Sequence, residues 1–102
     1  MENKIIKLEI IISKVYMKSV ADFLEKNNVS GFTALEISRG KGKLLGEHIS
    51  DGISNDTLWM LVFTVITFAE YSAFKDNLAK QLKTIRGTCI VTEVLEATNI
   101  KL

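Results

Sequence analysis

The chain alternates between two hydrophobic rhythms. From Ile5 to Ile12 the residues are dense in β-branched side chains, and Ile6, Leu8, Ile10 and Ile12 recur at period two, the mark of a strand with one buried face. From Lys14 the rhythm changes. Met17, Val20, Ala21 and Leu24 fall at i, i+3, i+4 and i+7, the stripe of an amphipathic helix, with Lys18, Asp22, Glu25 and Lys26 turned away from it. Asn27-Asn28 suits the helix end and the turn after it. Gly31 to Ile37 predicts a second strand, with Thr33, Leu35 and Ile37 on one face. Leu58 to Ile66 predicts a third, because its residues are aromatic and β-branched. Thr67-Phe68-Ala69-Glu70 then reads as a capping box. Behind it Tyr71, Phe74, Leu78, Leu82 and Ile85 repeat at spacings of three and four, which predicts a second amphipathic helix. Thr88 to Leu95 completes the pattern as a fourth strand.

The element order is β-α-β, a connection, then β-α-β. Two such units in tandem give the ferredoxin-like fold, an α+β architecture with a four-stranded antiparallel sheet and both helices on one face. The handedness of crossovers leaves few other arrangements. A sheet covered on one side should alternate apolar and polar residues. The third strand does not: Trp59, Leu61, Phe63 and Val65 face one way, Leu58, Met60, Val62 and Ile66 the other. Something must cover the helix-free face, and another copy of the chain is the economical answer.

Residues 39–57 keep neither rhythm. They hold four of the six glycines, Gly40, Gly42, Gly46 and Gly52. A hairpin there would need only about 2 to 5 residues, and longer connections in compact domains are usually functional or disordered. The expectation is a single domain over residues 1–102 with a flexible, functional loop at 39–57.

Composition narrows the classes. With 102 residues, 47% of them hydrophobic and 25% charged, the chain has material for one globular core. A net charge of +1 supplies no field that would draw it to nucleic acid. A single cysteine allows no internal disulfide and no cysteine-rich zinc site, which suits a reducing, cytoplasmic compartment. Lys7 and Glu9 interrupt the early isoleucine run, so it does not read as a leader. The stretch from Leu58 to Ala69 is too short for a bilayer, which takes roughly 20 residues.

Candidate chemistry concentrates at the loop. Arg39-Gly40-Lys41-Gly42-Lys43 sets three cations among two glycines at the exit of a strand. It reads either as a solvated basic loop or as an anion site, in which glycine frees backbone N–H groups and the cations neutralise phosphate oxygens. It matches neither a P-loop nor a dinucleotide fingerprint. Lys83, Arg86 and Gly87 form a smaller basic turn that also complements the dipole of the preceding helix. Glu47, His48 and Asp51 lie close enough in sequence to ligate a metal, while His48 also reads as a solvated loop residue. Cys89, inside a strand, reads as a small buried hydrophobe. No nucleophile–histidine pairing is suggested, because the one histidine lies in the loop.

Val29-Ser30-Gly31-Phe32-Thr33, the Ala21-Asp22-Phe23-Leu24-Glu25 helix, and Arg39-Gly40-Lys41-Gly42-Lys43 followed by Gly46-Glu47 together resemble the PII-like signalling proteins over nearly the whole chain. The Gly40-Lys41-Gly42 step is most similar to the variants that include the bicarbonate-transport regulator SbtB and the carboxysome-associated PII proteins. The resemblance implies a non-enzymatic homotrimer of ferredoxin-like subunits that needs no cofactor. It implies an adenine nucleotide held as effector between subunits, and a T-loop, here 39–57, that docks on a membrane transporter or a metabolic enzyme. By motif, Thr33 falls at the adenine–ribose end. Arg39, Gly40, Lys41, Gly42 and Lys43 fall at the phosphates, and Arg86 and Gly87 in the turn that faces them. The Thr-Gly-Lys-Ile-Gly-Asp-Gly-Lys turn of conventional members is replaced by Lys83-Thr84-Ile85-Arg86-Gly87, and the Gly-Arg-Gln-Lys-Gly loop base is absent. The expected ligand is therefore ADP or AMP in preference to Mg-ATP with 2-oxoglutarate.

Three other readings compete with it on the same fold. A metal-responsive trimer similar to CutA would employ Glu47, His48 and Asp51. An acylphosphatase would need an arginine-bearing phosphate loop that Ser13-Lys14-Val15-Tyr16 does not offer. An RNA-recognition domain would need aromatics on the first strand, which has none.

Overall fold

The structure is a computed structural model that describes residues 4–37 and 58–100. Its elements are β1 (Ile5–Ser13), α1 (Met17–Lys26), β2 (Thr33–Ile37), β3 (Trp59–Thr67), α2 (Phe68–Ile85) and β4 (Thr88–Glu93). The sheet runs in the order β2-β3-β1-β4, with every neighbouring pair antiparallel. This is the ferredoxin-like arrangement that the element order predicts.

Boundaries differ from the sequence pattern by two or three residues at three points, and by one residue at the end of β1 and at both ends of β3. Lys14–Tyr16 form a 3-10 turn, so α1 begins at Met17. The Lys14 N–H donates to the Leu58 carbonyl at 2.7 Å, which ties this turn to the start of β3. β2 begins at Thr33 rather than Gly31, and β4 ends at Glu93 rather than Leu95. Asn28 closes α1 in the left-handed region at φ 66°, and the Val29 N–H returns to the Leu24 carbonyl at 2.9 Å.

The core lies between the sheet and the helices. Ile6, Leu8, Ile10 and Ile12 of β1 and Met60, Val62 and Ile66 of β3 are buried against Val20 and Leu24 of α1 and Phe74, Leu78 and Leu82 of α2. On the opposite face the alternate residues of β1 and β3 are mostly half-buried, including Ile11, Leu61, Phe63 and Val65. Trp59, on that same face, is buried.

The capping box is formed in full. The Glu70 N–H donates to Thr67 Oγ1 at 3.1 Å, and the Thr67 N–H donates to Glu70 Oε1 at 3.0 Å. Thr67→Ala is expected to lower stability by about 1 kcal/mol. Urea unfolding followed by circular dichroism measures it, and an unchanged midpoint would show that the cap contributes nothing.

Candidate functional site

The element lengths create the site. β3 has nine residues and β2 has five. Thr33 pairs with Phe63, so no described strand pairs with the outer edge of β3 from Thr64 to Thr67. Beside that edge lies an open hollow of about 270 Å³. Gly31, Phe32 and Thr33 form one side of it, Phe63 and Thr64 another, with Glu70 and Ile100 also in its lining. Its size is near the low edge of small-molecule sites, which run about 300 to 1,000 Å³. It accommodates a ring system and leaves the rest of a larger ligand outside.

Local bonding holds the hollow open. Thr64 is buried, and its Oγ1 donates to the Gly31 carbonyl at 2.6 Å. That bond satisfies the one polar side chain β3 sends toward the helices. A Cβ on Gly31 would meet nothing within 4 Å. Packing therefore does not demand glycine here, and the backbone lies open to a ligand. Thr33, which the resemblance assigns to the adenine–ribose end, is exposed and lines the hollow.

The basic turn stands elsewhere. Arg86 caps α2 in the left-handed region at φ 58°, and the Gly87 N–H donates to the Leu82 carbonyl at 2.8 Å. Gly87 has a packing reason to be glycine, since a Cβ there would lie 2.6 Å from Leu82 Cδ2 and 2.9 Å from Ile12 Cγ2. The turn leads into β4, at one edge of the sheet, while Thr33 is on β2 at the other. Three strand spacings separate them, about 14 Å. One chain does not bring Thr33 together with Arg86 and Gly87. The exit of β2 at Ile37, in register with Trp59 and through it with Ser13, is at the same end of the sheet as the Gly87 turn.

Arg39, Gly40, Lys41, Gly42 and Lys43 lie outside the described residues, as do Glu47, His48 and Asp51 and the loop 39–57 as a whole. Among the described residues no group of three or more His, Cys, Asp and Glu could hold a metal ion. Cys89 is half-buried rather than fully buried, and burial pushes its thiol up from the ordinary value. Burial raises Tyr71 as well, with smaller contributions from Cys89 and Asp76. Neither group is an activated nucleophile at neutral pH. No helix of the described residues is long and apolar enough to cross a membrane.

Sequence reasoning named Thr33 but not Phe63, Thr64, Glu70 or Ile100. They follow from where β2 stops pairing with β3, which the strand pattern in the sequence does not give.

Comparison with known proteins adds the family. The family model described as Nitrogen regulatory protein P-II matches residues 5–102. Among solved structures the fold is similar to that of CPII, a nitrogen regulatory PII-like protein from Thiomonas intermedia K12. The structure of CPII bound to ADP and bicarbonate superposes with a TM-score of 0.71 at 19% identity, covering 88% of this chain and 85% of that one. CPII bound to ADP, AMP and bicarbonate gives 0.69 at 18%, covering 94% and 96%. The GlnK–ATP complex of B. subtilis gives 0.61 at 17%, covering 96% and 90%. At these identities the structures attest the fold, and the family rests on the sequence match. No curated protein matches the sequence. The family match, running from the first strand to the end of the chain, agrees with the resemblance carried by Gly31-Phe32-Thr33 and the Arg39–Lys43 run: the chain belongs to the nitrogen regulatory protein P-II family.

Proposed function

We propose that the chain is a single-domain PII-type signalling protein that works as a cytoplasmic homotrimer and binds an adenine nucleotide between subunits. One observation carries this reading: the hollow at the unpaired edge of β3, with Thr33 and Gly31 in its wall, offers a planar base an apolar floor and backbone hydrogen-bonding groups. Phosphates would extend out of the hollow. Arg86 and Gly87 of the same chain are across the sheet, so a neighbouring copy would supply them together with its Arg39, Gly40, Lys41, Gly42 and Lys43. The replaced basic turn favours ADP or AMP over Mg-ATP with 2-oxoglutarate. The solved neighbours support a nucleotide of this class, since CPII is described with ADP and AMP, and GlnK with ATP.

The protein regulates rather than catalyses, and it needs no cofactor and binds no nucleic acid. Residues 39–57 dock on the regulated partner, a membrane transporter or a metabolic enzyme, as in the SbtB-like variants. Nucleotide shifts the loop between states in proportion to its differential affinity for them.

Calorimetric titration with ADP and AMP tests the reading. Reversing charge with Lys41→Glu or Lys43→Glu is expected to weaken binding by about tenfold to a hundredfold, the worth of one charge-assisted hydrogen bond. Unchanged affinity removes those lysines from the site. A wild-type protein that binds none of AMP, ADP, ATP and cyclic AMP ends the nucleotide reading.

A further inference from the structure

Among the described strand residues on the helix-free face, Lys7 and Glu9 are the charged ones. They stand one step apart on the same side of β1, an inner strand of the sheet. Glu9 is flanked in register by Phe63 on β3 and Ile90 on β4, and Lys7 by Val65 and Thr92. Ile11, Leu61 and Leu35 continue the face as an apolar row.

Within one chain this pair is poorly made. Lys7 Nζ lies 3.8 Å from Glu9 Oε2, beyond hydrogen-bond range, whereas the pairs Lys4–Glu93, Lys14–Glu36 and Lys18–Asp22 close to 3.3, 3.2 and 3.0 Å. The Glu9 side chain is 25% exposed, against 48% to 61% for the carboxylates of the other three. Lys7 Nζ instead lies 4.9 Å from the centroid of the Phe63 ring. Glu9 is thus a half-buried carboxylate without a close donor among the described residues.

An apolar partner laid on this face would strip water from both charges and return nothing. A second copy of the chain answers the difficulty. In a closed ring each copy offers one part of this face to the next copy and another part to the one before, and a strand that carries a cation beside an anion can donate to one neighbour and accept from the other. We propose that in the assembled protein Lys7 of one copy donates to Glu9 of the next, and that this exchange fixes the register in which copies associate. The inference rests on the reading above that copies of the chain cover the helix-free face. The apolar row alone would tolerate sliding, whereas a slip that sets Lys7 against Lys7 and Glu9 against Glu9 is penalised by like charge.

Sedimentation velocity on the wild type, on Lys7→Glu, on Glu9→Lys and on an equal mixture of the two variants tests the proposal. A wild type that stays monomeric removes the assembly reading before the charges enter. With the wild type assembled, each reversal alone is expected to weaken association by about thirtyfold or more. The mixture is expected to regain assembly, because opposite charges meet again at most contacts of a mixed ring. Native mass spectrometry with one variant labelled in heavy nitrogen identifies the mixed species. A pair that acts only within its own chain gives no recovery on mixing. That result, or reversals that associate like the wild type, overturns the proposal. Circular dichroism checks folding. Where a reversal does not fold, Lys7→Met and Glu9→Gln replace it, each expected to weaken association by about tenfold, with the double variant losing less than the two effects combined. Strictly additive losses overturn the exchange.

Discussion

Phe74→Ala is expected to cost about 3 to 5 kcal/mol of stability, the usual penalty for removing a buried phenylalanine ring. Phe74 is 1% exposed and sits on the face of α2 that meets α1. Its ring packs edge-on against Phe23 of α1 at 5.7 Å between centroids, and against Tyr71 at 6.0 Å. Truncation removes the shared member of both contacts and leaves a cavity that rigid neighbours fill only in part. A domain has about 5 to 15 kcal/mol in total, so the variant keeps a thin margin. Urea unfolding at one fixed protein concentration measures the loss, since the proposed assembly would add concentration-dependent stability. A shift equivalent to less than about 1 kcal/mol, the average for any substitution, would mean that the two helices do not depend on this ring.

With copies covering the helix-free face as proposed above, Leu61→Asp is expected to give monomers at micromolar concentration while leaving each subunit folded. Leu61 is half-buried at the centre of the helix-free face, with Ile11 on one side and Leu35, which is 51% exposed, on the other. In a monomer the new carboxylate keeps its water. Beneath a neighbouring copy it would be a buried charge without a partner, the costliest kind of substitution at an interface. Lys80→Asp, on the exposed side of α2, serves as the control and should leave the mass unchanged. If light scattering finds Leu61→Asp assembled like the wild type, the copies meet on some other surface.

Local rules made much of this legible. The change of period after Ser13, the paired asparagines after α1, and Thr67 with Glu70 each state an element boundary within a few residues, and the structure agrees to within three. The doubly apolar third strand pointed to a face that one chain leaves uncovered, and Leu61, Phe63 and Val65 lie there. The hollow was not legible, because it follows from where β2 stops pairing with β3, and register between strands distant in sequence is settled by the whole sheet. Gly87 shows the same limit. The family resemblance put it in a phosphate-facing turn, and only the structure shows that the close approach of Leu82 and Ile12 gives it a packing reason to be glycine as well. Lys7 and Glu9 were visible as breaks in an apolar run. Only the pairing of β1 with β3 and β4 shows that both fall on the bare face.

The unequal lengths of β2 and β3 also bear on solubility. An open strand edge is a template on which another chain can add, and sheets that leave long flat edges tend to aggregate. Here the open stretch of β3 is confined to Thr64–Thr67 and ends in the capping box that turns the chain into α2. Gly31 and Phe32 stand beside it without pairing, and the Thr64 hydroxyl holds Gly31 there. A strand from another molecule would find only a few backbone groups before meeting a helix. The gap in the sheet is therefore too short a run for another strand to pair with.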